Sequence, residues 1–390
     1  MIRLATLALA IVPALALAAP ATTTSLDVRL RHENVDDDLF AKDADATTLR
    51  LRAGLQHAFG AHFSARIEFE GTTHLGAENF NSTANGETAY PSVVDPDNAE
   101  INQAWLAWAP SAATRIGIGR QKLNFDNQRY IGASSFRQNE QTFDALDATH
   151  AFANGVQLHY AWLGRVQRVN GANHPNEDLG RWLLDAHLLN VGGKLGPGKL
   201  TGYGYFIENR TLPLSSHRDL GLRYVIEPDD KAQRAWGLAL EAAQQSPYAD
   251  GADRNDANYW LAEGSWRWQG NTFRLGQETL GGNGRYAFQT PLATLHAFNG
   301  WADRFLTTPV DGLRDRYLGW NRKFGRFEAN VVAHDFAADH GGRDFGNELD
   351  ASLAMAITPR WTALAKLADF NGDQGPLDVT KAWLSLEYKR

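Results

Sequence analysis

Residues 49–56 have the sequence Leu-Arg-Leu-Arg-Ala-Gly-Leu-Gln. Leu49 and Leu51 fall on one face of an extended chain and Arg50 and Arg52 on the other, because successive side chains of a β-strand point to opposite faces. The segment therefore predicts a strand with one apolar and one strongly polar face. The spacing of three to four residues that a helix would need is largely missing from the chain.

The same alternation recurs from residue 26 to the C-terminus, in short segments separated by turns. The predicted short turns are residues 60–62, 110–112, 154–155, 228–231, 269–271, 323–325 and 358–360. The predicted long loops, rich in Gly, Asn and Asp, are residues 74–99, 122–141, 168–181, 245–256 and 281–311. Short turns on one rim and long loops on the other are typical of outer-membrane barrels.

The N-terminus predicts export. Arg3 precedes an apolar run from Leu4 to Ala19, and Ala16 and Ala18 form a small-residue cleavage pattern. We predict a signal peptide over residues 1–18. Because no proline-rich or serine-rich linker divides the rest, residues 19–390 are predicted to form one domain.

These observations together predict an all-β protein, a transmembrane antiparallel barrel of about 18 strands, with 16 as the alternative. A bilayer offers no hydrogen-bond partner to an open sheet edge, so the sheet must close. An Arg facing the bilayer midplane costs about 2–4 kcal/mol, which directs Arg50 and Arg52 into the lumen and Leu49 and Leu51 toward lipid. The localisation predicted is the outer membrane.

Composition excludes several other classes of protein. Beyond residue 20 no apolar run approaches the length of a membrane-spanning helix. The chain has no cysteine, and its formal charge of −7 argues against nucleic-acid binding. We predict no cofactor and no metal. Acidic groups such as residues 36–38 could bind calcium, but Asp-rich turns explain them more simply.

Tryptophans cluster near predicted strand ends, which is typical of the aromatic girdles of outer-membrane barrels. The tryptophans in question are Trp105, Trp108, Trp266, Trp268, Trp320 and Trp361. The alternative is that they are core aromatics of a soluble β-sandwich, because strands generally favour aromatic residues.

Four segments carry a resemblance to a known family, and they lie in two long loops and the adjoining strands. They are Gly119–Gln121, Asp126–Arg129, Arg137–Asp144 and Phe288–Asp303. With His334-Asp335-Phe336, they resemble the alginate export family of outer-membrane barrels over essentially the whole mature chain. The resemblance implies a monomeric barrel of about 18 strands with an electropositive conduit that loops constrict.

The candidate substrate-binding residues are pore-lining or constriction positions of two origins. Those on polar strand faces are Arg50, Arg52, Arg66, Arg223 and Arg274, and those on motifs matching the family are Arg120, Arg129, Arg137 and Asp144. Guanidinium groups bind carboxylates through a planar fork, which suits an anionic solute. The alternative is that carboxylates on similar faces pair with these arginines in a structural ladder.

The function predicted is passive passage of a hydrophilic, anionic solute. The leading cargo is an alginate-like acidic polysaccharide or oligosaccharide. Whether the cargo is exported or taken up is left open. The protein's partners are then the lipid bilayer and the saccharide, and periplasmic export partners stay open. Alternatives are a general small-metabolite porin, an outer-membrane enzyme on a barrel scaffold, and a soluble carbohydrate-binding β-protein. We predict no enzyme activity, because neither a Gly-x-Ser-x-Gly nor a His-Glu-x-x-His motif is present.

Overall fold

The computed structural model describes residues 22–229 and 234–390. The predicted signal peptide lies outside the described residues and stays a prediction. The strands are β1 Thr22–Asp37, β2 Ala44–Phe59, β3 Phe63–His74, β4 Asn98–Ser111, β5 Thr114–Gln121, β6 Thr142–Ala151, β7 Gln157–Gln167, β8 Arg181–Leu195, β9 Gly198–Asn209, β10 His217–Ile226, β11 Trp236–Pro247, β12 Ala257–Trp268, β13 Asn271–Leu280, β14 Leu313–Phe324, β15 Phe327–Ala337, β16 Asp344–Ala356, β17 Trp361–Gly372 and β18 Val379–Lys389. Helical structure in the described residues is limited to α1 Glu177–Gly180 and two short 3-10 turns, Pro213–Ser215 and Leu295–Ala297.

The strands form one closed antiparallel sheet. Each strand pairs with its neighbours in the sequence, and β1 also pairs with β18, where Arg29 lies opposite Glu387. The prediction of an 18-stranded antiparallel barrel is therefore confirmed. Closure leaves every strand with a partner on both sides, as a bilayer requires of a spanning sheet.

The alternation predicted from residues 49–56 is confirmed in the barrel wall. Leu51 on the outer face is 48% exposed, whereas Arg50 and Arg52 on the inner face are 0% and 5% exposed. Leu222 and Leu384 also face outward. The outer surface is thus apolar over most of its height and the inner surface polar, because lipid and water each select one face of every strand.

Among the described residues, short connections lie on one rim of the barrel and long loops on the other, as predicted. Part of the turn predicted at residues 228–231 lies outside the described residues. Both chain ends lie on the short-turn rim, where Leu26 N donates a hydrogen bond to Arg390 O (3.0 Å). Near that rim Trp108, Trp266, Trp268 and Trp361 are exposed on the outer face, in agreement with a girdle.

The girdle prediction for Trp105 is wrong. Its indole Nε1 donates to Gln103 Oε1 (3.4 Å) and its ring lies 5.5 Å from the Arg115 guanidinium, both on the inner face. Trp105 and Trp108 are three residues apart on β4, and the register with β3 is regular between them. The alternation of a strand therefore puts the two rings on opposite faces, and only Trp108 can join the outer girdle.

The interior of the barrel is packed with loop residues rather than with a second layer of secondary structure. Ile131, Phe288 and Gln138 of the loops are all fully buried. The candidate site therefore lies where these loops meet the polar inner wall.

The short helical segments of the described residues include none with the length and apolar character of a membrane-spanning helix.

Candidate functional site

The first of two long loops crosses the lumen. We call residues 122–141, between β5 and β6, loop A. At one end Phe136 O accepts a hydrogen bond from Arg29 Nη1 of β1 (2.8 Å). On the other side, the hydroxyl groups of Tyr130 and of Tyr203 on β9 are hydrogen-bonded to each other (2.9 Å). Strands β1 and β9 lie on opposite sides of the closed sheet, so loop A spans the barrel interior.

The second long loop also crosses the lumen, and we call residues 281–312, between β13 and β14, loop B. Gln289 N donates to Gln245 Oε1 of β11 (3.0 Å). Ala302 N donates to Glu348 Oε1 of β16 (2.7 Å). Arg304 reaches Asp37 at the end of β1 (2.7 Å).

The anchor of loop B on β16 depends on a glycine. Gly300 has φ +85°, and a Cβ added there would lie 2.2 Å from Glu348 Oε2. We expect Gly300→Ala to displace Glu348 and to destabilise the anchored loop by roughly 1–3 kcal/mol, the usual cost of overpacking. Limited proteolysis of the folded barrel should then cut loop B faster.

A matched control is Gly284→Ala in the same loop. Gly284 has φ +80°, and its added Cβ would come no closer than 3.5 Å to a neighbouring atom. Both variants share the strain of a positive φ, so the difference between them measures the clash with Glu348. Equal proteolysis of the two variants would contradict the anchoring role.

Loops A and B are joined to each other by backbone hydrogen bonds. Gly132 N donates to Leu292 O (3.0 Å), and Thr294 N donates to Gln128 O (3.1 Å). A Cβ at Gly132 would lie 2.2 Å from Thr294 Oγ1, so the close approach requires glycine. The two loops therefore act as one partition across the lumen.

Arg129 and Arg137, predicted as constriction residues, lie in this partition and connect its two halves. Arg129 Nη2 donates to Asn299 Oδ1 (3.0 Å), and its Nε lies 2.9 Å from Glu278 of the wall. Arg137 Nη2 lies 2.7 Å from Asp303 of loop B. Carboxylates neutralise both charges, so these arginines hold the constriction together rather than offer a free charge to a solute.

The arginines predicted on the wall face inward but are paired with carboxylates. The ion pairs are Arg50–Asp27 (2.6 Å), Arg50–Glu387 (3.0 Å), Arg52–Glu140 (2.9 Å), Arg52–Glu70, Arg66–Glu68 and Arg223–Glu241. For these four arginines the structure agrees with the alternative of a structural ladder. Asp27, Glu70 and Glu241 lie on the strand next to their arginine, as in cross-strand pairs, whereas Glu68 lies on the same strand as Arg66, Glu387 lies two strands from Arg50, and Glu140 belongs to loop A.

The prediction that Arg120 and Asp144 line the lumen is wrong. Arg120 lies two residues after Ile118, which is 58% exposed on the outer face, and it is directly opposite Asp144 in the strand register. Arg120 Nε lies 2.7 Å from Asp144 Oδ1, and its Nη1 donates to Ile101 O (3.0 Å). A match to a family motif does not specify the face of a strand, whereas the alternation along β5 does.

Arg274 and Lys366, two inward cations that border cavities, have by contrast no carboxylate partner among the described residues. Within residues 22–229 and 234–390, no carboxylate oxygen lies within 4.0 Å of Arg274 or Lys366. Arg274 on β13 borders a cavity of about 170 Å³ that Tyr317 and His334 also line. Lys366 on β17 borders a cavity of about 380 Å³.

Sequence reasoning identified Arg274 but missed Lys366. Lys366 Nζ lies 3.8 Å from the ring centre of Trp301, 4.4 Å from that of Phe136 and 5.1 Å from that of Trp383. We call these three rings the Lys366 cage. They come from loop B, loop A and β18, so no local pattern in the sequence assembles them.

His296 of loop B completes the surroundings of Lys366. Its Nε2 lies 2.6 Å from Lys366 Nζ, and its Nδ1 lies 2.7 Å from Asp303 Oδ1. Burial lowers the pKa of His296 well below its usual value, and Lys366 and Arg137 lower it further against the opposing effect of Asp303. The ring is therefore neutral, donating from Nδ1 to Asp303 and accepting at Nε2 from Lys366.

On the outer face of the barrel, hydroxyl groups also contact histidines. A hydrolase with its active site on that face would need such a hydroxyl within hydrogen-bond reach of a histidine. The three pairs are Thr22–His57 (2.8 Å), Thr47–His32 (3.0 Å) and Thr114–His150 (2.8 Å). In each pair the two residues are direct neighbours across adjacent strands, so strand pairing accounts for the contact. The described residues hold no group of three or more His, Asp or Glu suited to a metal ion.

A closed barrel with a polar lumen and an inward-folded partition defines the class of outer-membrane porin-like channels. The family follows from a comparison of sequences. Residues 21–274 match the family model described as alginate export, and the chain therefore belongs to the alginate export family. That family and the closed barrel place the protein in the outer membrane. No curated protein sequence matches the chain significantly.

Several solved structures share the fold. OccAB4 of Acinetobacter baumannii superposes with a TM-score of 0.71 at 16% identity, covering 95% of this chain and 98% of that chain. OccK2 (OpdF) of Pseudomonas aeruginosa, solved in complex with glucuronate, gives 0.70 at 13% identity, with 94% and 97% covered. OpdK of Pseudomonas aeruginosa, solved with vanillate, gives 0.69 at 13% identity, with 94% and 98% covered.

Proposed function

We propose that this outer-membrane channel passes hydrophilic anions passively, and that saccharides carrying a carboxylate are its cargo. An alginate-like acidic polysaccharide or oligosaccharide is the leading candidate. The observation that carries the proposal is the pair of unneutralised cations, Arg274 and Lys366, one at each cavity beside the partition. The neighbours OccK2 and OpdK were solved with glucuronate and vanillate, both carboxylates, which supports this class of solute.

The mechanism needs no covalent chemistry. Paired arginines on the wall create a polar, hydrated lining with little net charge, while Arg274 and Lys366 attract anions toward the partition. Because both charges lie beside low-dielectric loop and wall atoms, water screens them less than it would at a surface. Solute then follows its own gradient, and the joined loops set the upper limit on its size.

A second candidate is a porin for small carboxylates rather than for a polymer. The cavity of about 380 Å³ falls within the roughly 300–1,000 Å³ of small-molecule sites, and the cavity of about 170 Å³ is smaller. A polymer needs a continuous open path, whereas loops A and B are bonded across the lumen. Planar-bilayer recording separates the two, because low conductance blocked by oligouronates supports the polymer and large unblocked conductance supports the small-solute porin.

Ion selectivity tests the proposal directly. We expect the wild-type protein to prefer anions, and the double variant Arg274→Gln/Lys366→Met to lose about fivefold in anion-over-cation permeability for each charge removed. This corresponds to roughly 1 kcal/mol per charge at about 8 Å in a medium of intermediate dielectric. The measurement is the reversal potential across a salt gradient in planar bilayers.

Arg218→Gln is the matched control, because Arg218 is exposed and donates to Ser246 on the outside of the barrel. It should leave the reversal potential unchanged. Identical reversal potentials in the wild type and the double variant would remove Arg274 and Lys366 from the conduction path.

A further inference from the structure

We infer that Lys366 and its cage form a binding subsite for a single uronic acid unit, in which the ammonium group takes the carboxylate and His296 is a positioning residue. This inference rests on the proposed function and adds to it a defined place where the solute is bound. The site lies where loop A, loop B, β17 and β18 meet, beside the larger cavity.

Lys366 differs from the other cations that border this cavity. Arg29 is paired with Glu387 (2.9 Å), Lys389 with the same carboxylate (2.6 Å), and Arg31 with Asp95. Each of these charges is already neutralised in the folded protein. Lys366 is thus the cation of this cavity that an incoming carboxylate can neutralise without breaking an existing pair.

The cage leaves donors of Lys366 available. An ammonium group has three N–H donors, and one of them points to His296 Nε2 at 2.6 Å. Around the others lie the rings of the cage, which attract the cation without supplying a strong acceptor. A carboxylate oxygen is the acceptor that this arrangement lacks.

Further buried donors surround the same cavity without a hydrogen-bond partner among the described residues. They are Trp383 Nε1, Ser352 Oγ and Arg31 Nε, all in residues that line the cavity. Trp383 is only 2% exposed, so water outside the cavity cannot reach its N–H freely. Buried donors without acceptors are costly and rare in folded proteins, which points to a bound acceptor.

The chemical class follows from the lining. The ammonium and the unpartnered N–H groups suit a carboxylate, and the hydroxyl groups of Ser352, Thr362 and Ser385 suit the hydroxyls of a sugar. Trp301 provides an aromatic surface of the kind that lines small-molecule sites. A volume of about 380 Å³ admits one hexuronic acid unit rather than a folded polymer.

His296 holds Lys366 in place through a short chain of contacts. Asp303 accepts from His296 Nδ1, and Asp303 is itself held by Arg137 at 2.7 Å and Lys381 at 3.2 Å. Phe136 stacks on the His296 ring with centroids 3.9 Å apart. Since His296 accepts from Lys366 at Nε2, it directs the ammonium group to the cavity.

The experiment that tests the subsite measures how sodium glucuronate blocks the single-channel current. Glucose serves as the uncharged probe. We expect Lys366→Met to raise the half-blocking concentration of glucuronate by about tenfold to a hundredfold, the usual worth of a hydrogen bond to a charged group. Trp383→Phe, which removes the N–H donor and reduces the indole to a single aromatic ring, should raise it by about threefold to tenfold. Lys323→Met removes the same charge at the short-turn rim and should behave as the wild type.

His296 is tested by two substitutions. Glutamine can still donate to Asp303 and accept from Lys366, so His296→Gln should retain block, whereas His296→Leu should lose it. If His296→Leu is blocked like the wild type, the positioning role is overturned.

The outcomes separate the subsite from the channel. Suppose that the wild-type current is anion-selective and blocked by glucuronate, and that Lys366→Met and Trp383→Phe are blocked equally well. This result overturns the subsite and leaves the proposed function standing. Wild-type current without anion preference and without block overturns the proposed function itself. If Lys366→Met fails to fold, as judged by its heat-dependent gel mobility, the result with Trp383→Phe decides.

Discussion

Replacing Glu140 by glutamine is expected to release loop A from the barrel wall. The Glu140 carboxylate lies 2.9 Å from Arg52 Nη1, accepts from Ser135 Oγ (2.6 Å) and Asn102 Nδ2 (3.1 Å), and also pairs with Lys122. Removing one partner of a buried ion pair costs about 3–5 kcal/mol when the other charge is left unpaired, and the cost here falls below that range because Arg52 keeps Glu70 as a partner. We expect faster hydrogen exchange in loop A and a higher, noisier conductance.

Glu177→Gln is the matched control for this substitution. Glu177 pairs with Arg181 at 2.6 Å on the exposed surface, where an ion pair contributes about 0–1 kcal/mol. It should change neither loop exchange nor conductance. Wild-type behaviour of Glu140→Gln would show that the backbone bonds between loops A and B hold the partition without this carboxylate.

The effect of Glu140 also has a defined pH dependence. Burial raises the pKa of Glu140, but Arg52 and Lys122 outweigh burial and hold it below the usual value. A lowered folded pKa contributes stability that is present above the unfolded value and is lost as pH falls through the folded one. The wild-type partition should therefore stay closed from pH 7 to about pH 5. Opening of the wild type within that range would contradict the assignment.

The second large effect concerns the lipid-facing surface. Leu222 lies in the middle of β10 and is 59% exposed on the outer face. We expect Leu222→Arg to lower the free energy of unfolding by about 2–4 kcal/mol, the cost of an arginine near the bilayer midplane. The measurement is urea unfolding of the protein in lipid vesicles, followed by tryptophan fluorescence.

Leu214→Arg separates lipid exposure from exposure in general. Leu214 is 66% exposed but lies in the 3-10 turn between β9 and β10, outside the strands. Its substitution should change stability by less than about 0.5 kcal/mol, as surface substitutions usually do. Equal destabilisation by the two arginines would mean that the outer face of β10 does not contact hydrocarbon.

The lumen combines neutralised and free charges, and this division matters for transport. Paired arginines such as Arg50 and Arg223 stabilise the wall and the loops but offer little net field to a solute. Among the described residues, the charges that a solute can use are those left without a carboxylate beside a cavity, such as Arg274 and Lys366. Counting arginines therefore overstates the number of binding groups.

The alternation along the chain was enough to predict the barrel, a strand number of about 18 with 16 left open, and the direction of residues such as Leu51 and Arg50. Each depends on local rules: a period of two residues, the length needed to cross hydrocarbon, and the cost of a charge in lipid. The long loops were equally visible, because turn-forming residues interrupt the alternation. The resemblance to the alginate export family also lay within the sequence itself.

Only the tertiary structure decided which charges are free and which residues meet. Arg120 carries a family motif yet faces outward, whereas Lys366 lies in an ordinary strand and is caged by Phe136, Trp301 and Trp383. Charge pairing and the cage depend on contacts between residues far apart in the chain, such as Arg50 with Glu387. Local periodicity contains no information about such contacts, because they arise only when the sheet closes and the two loops fold into it.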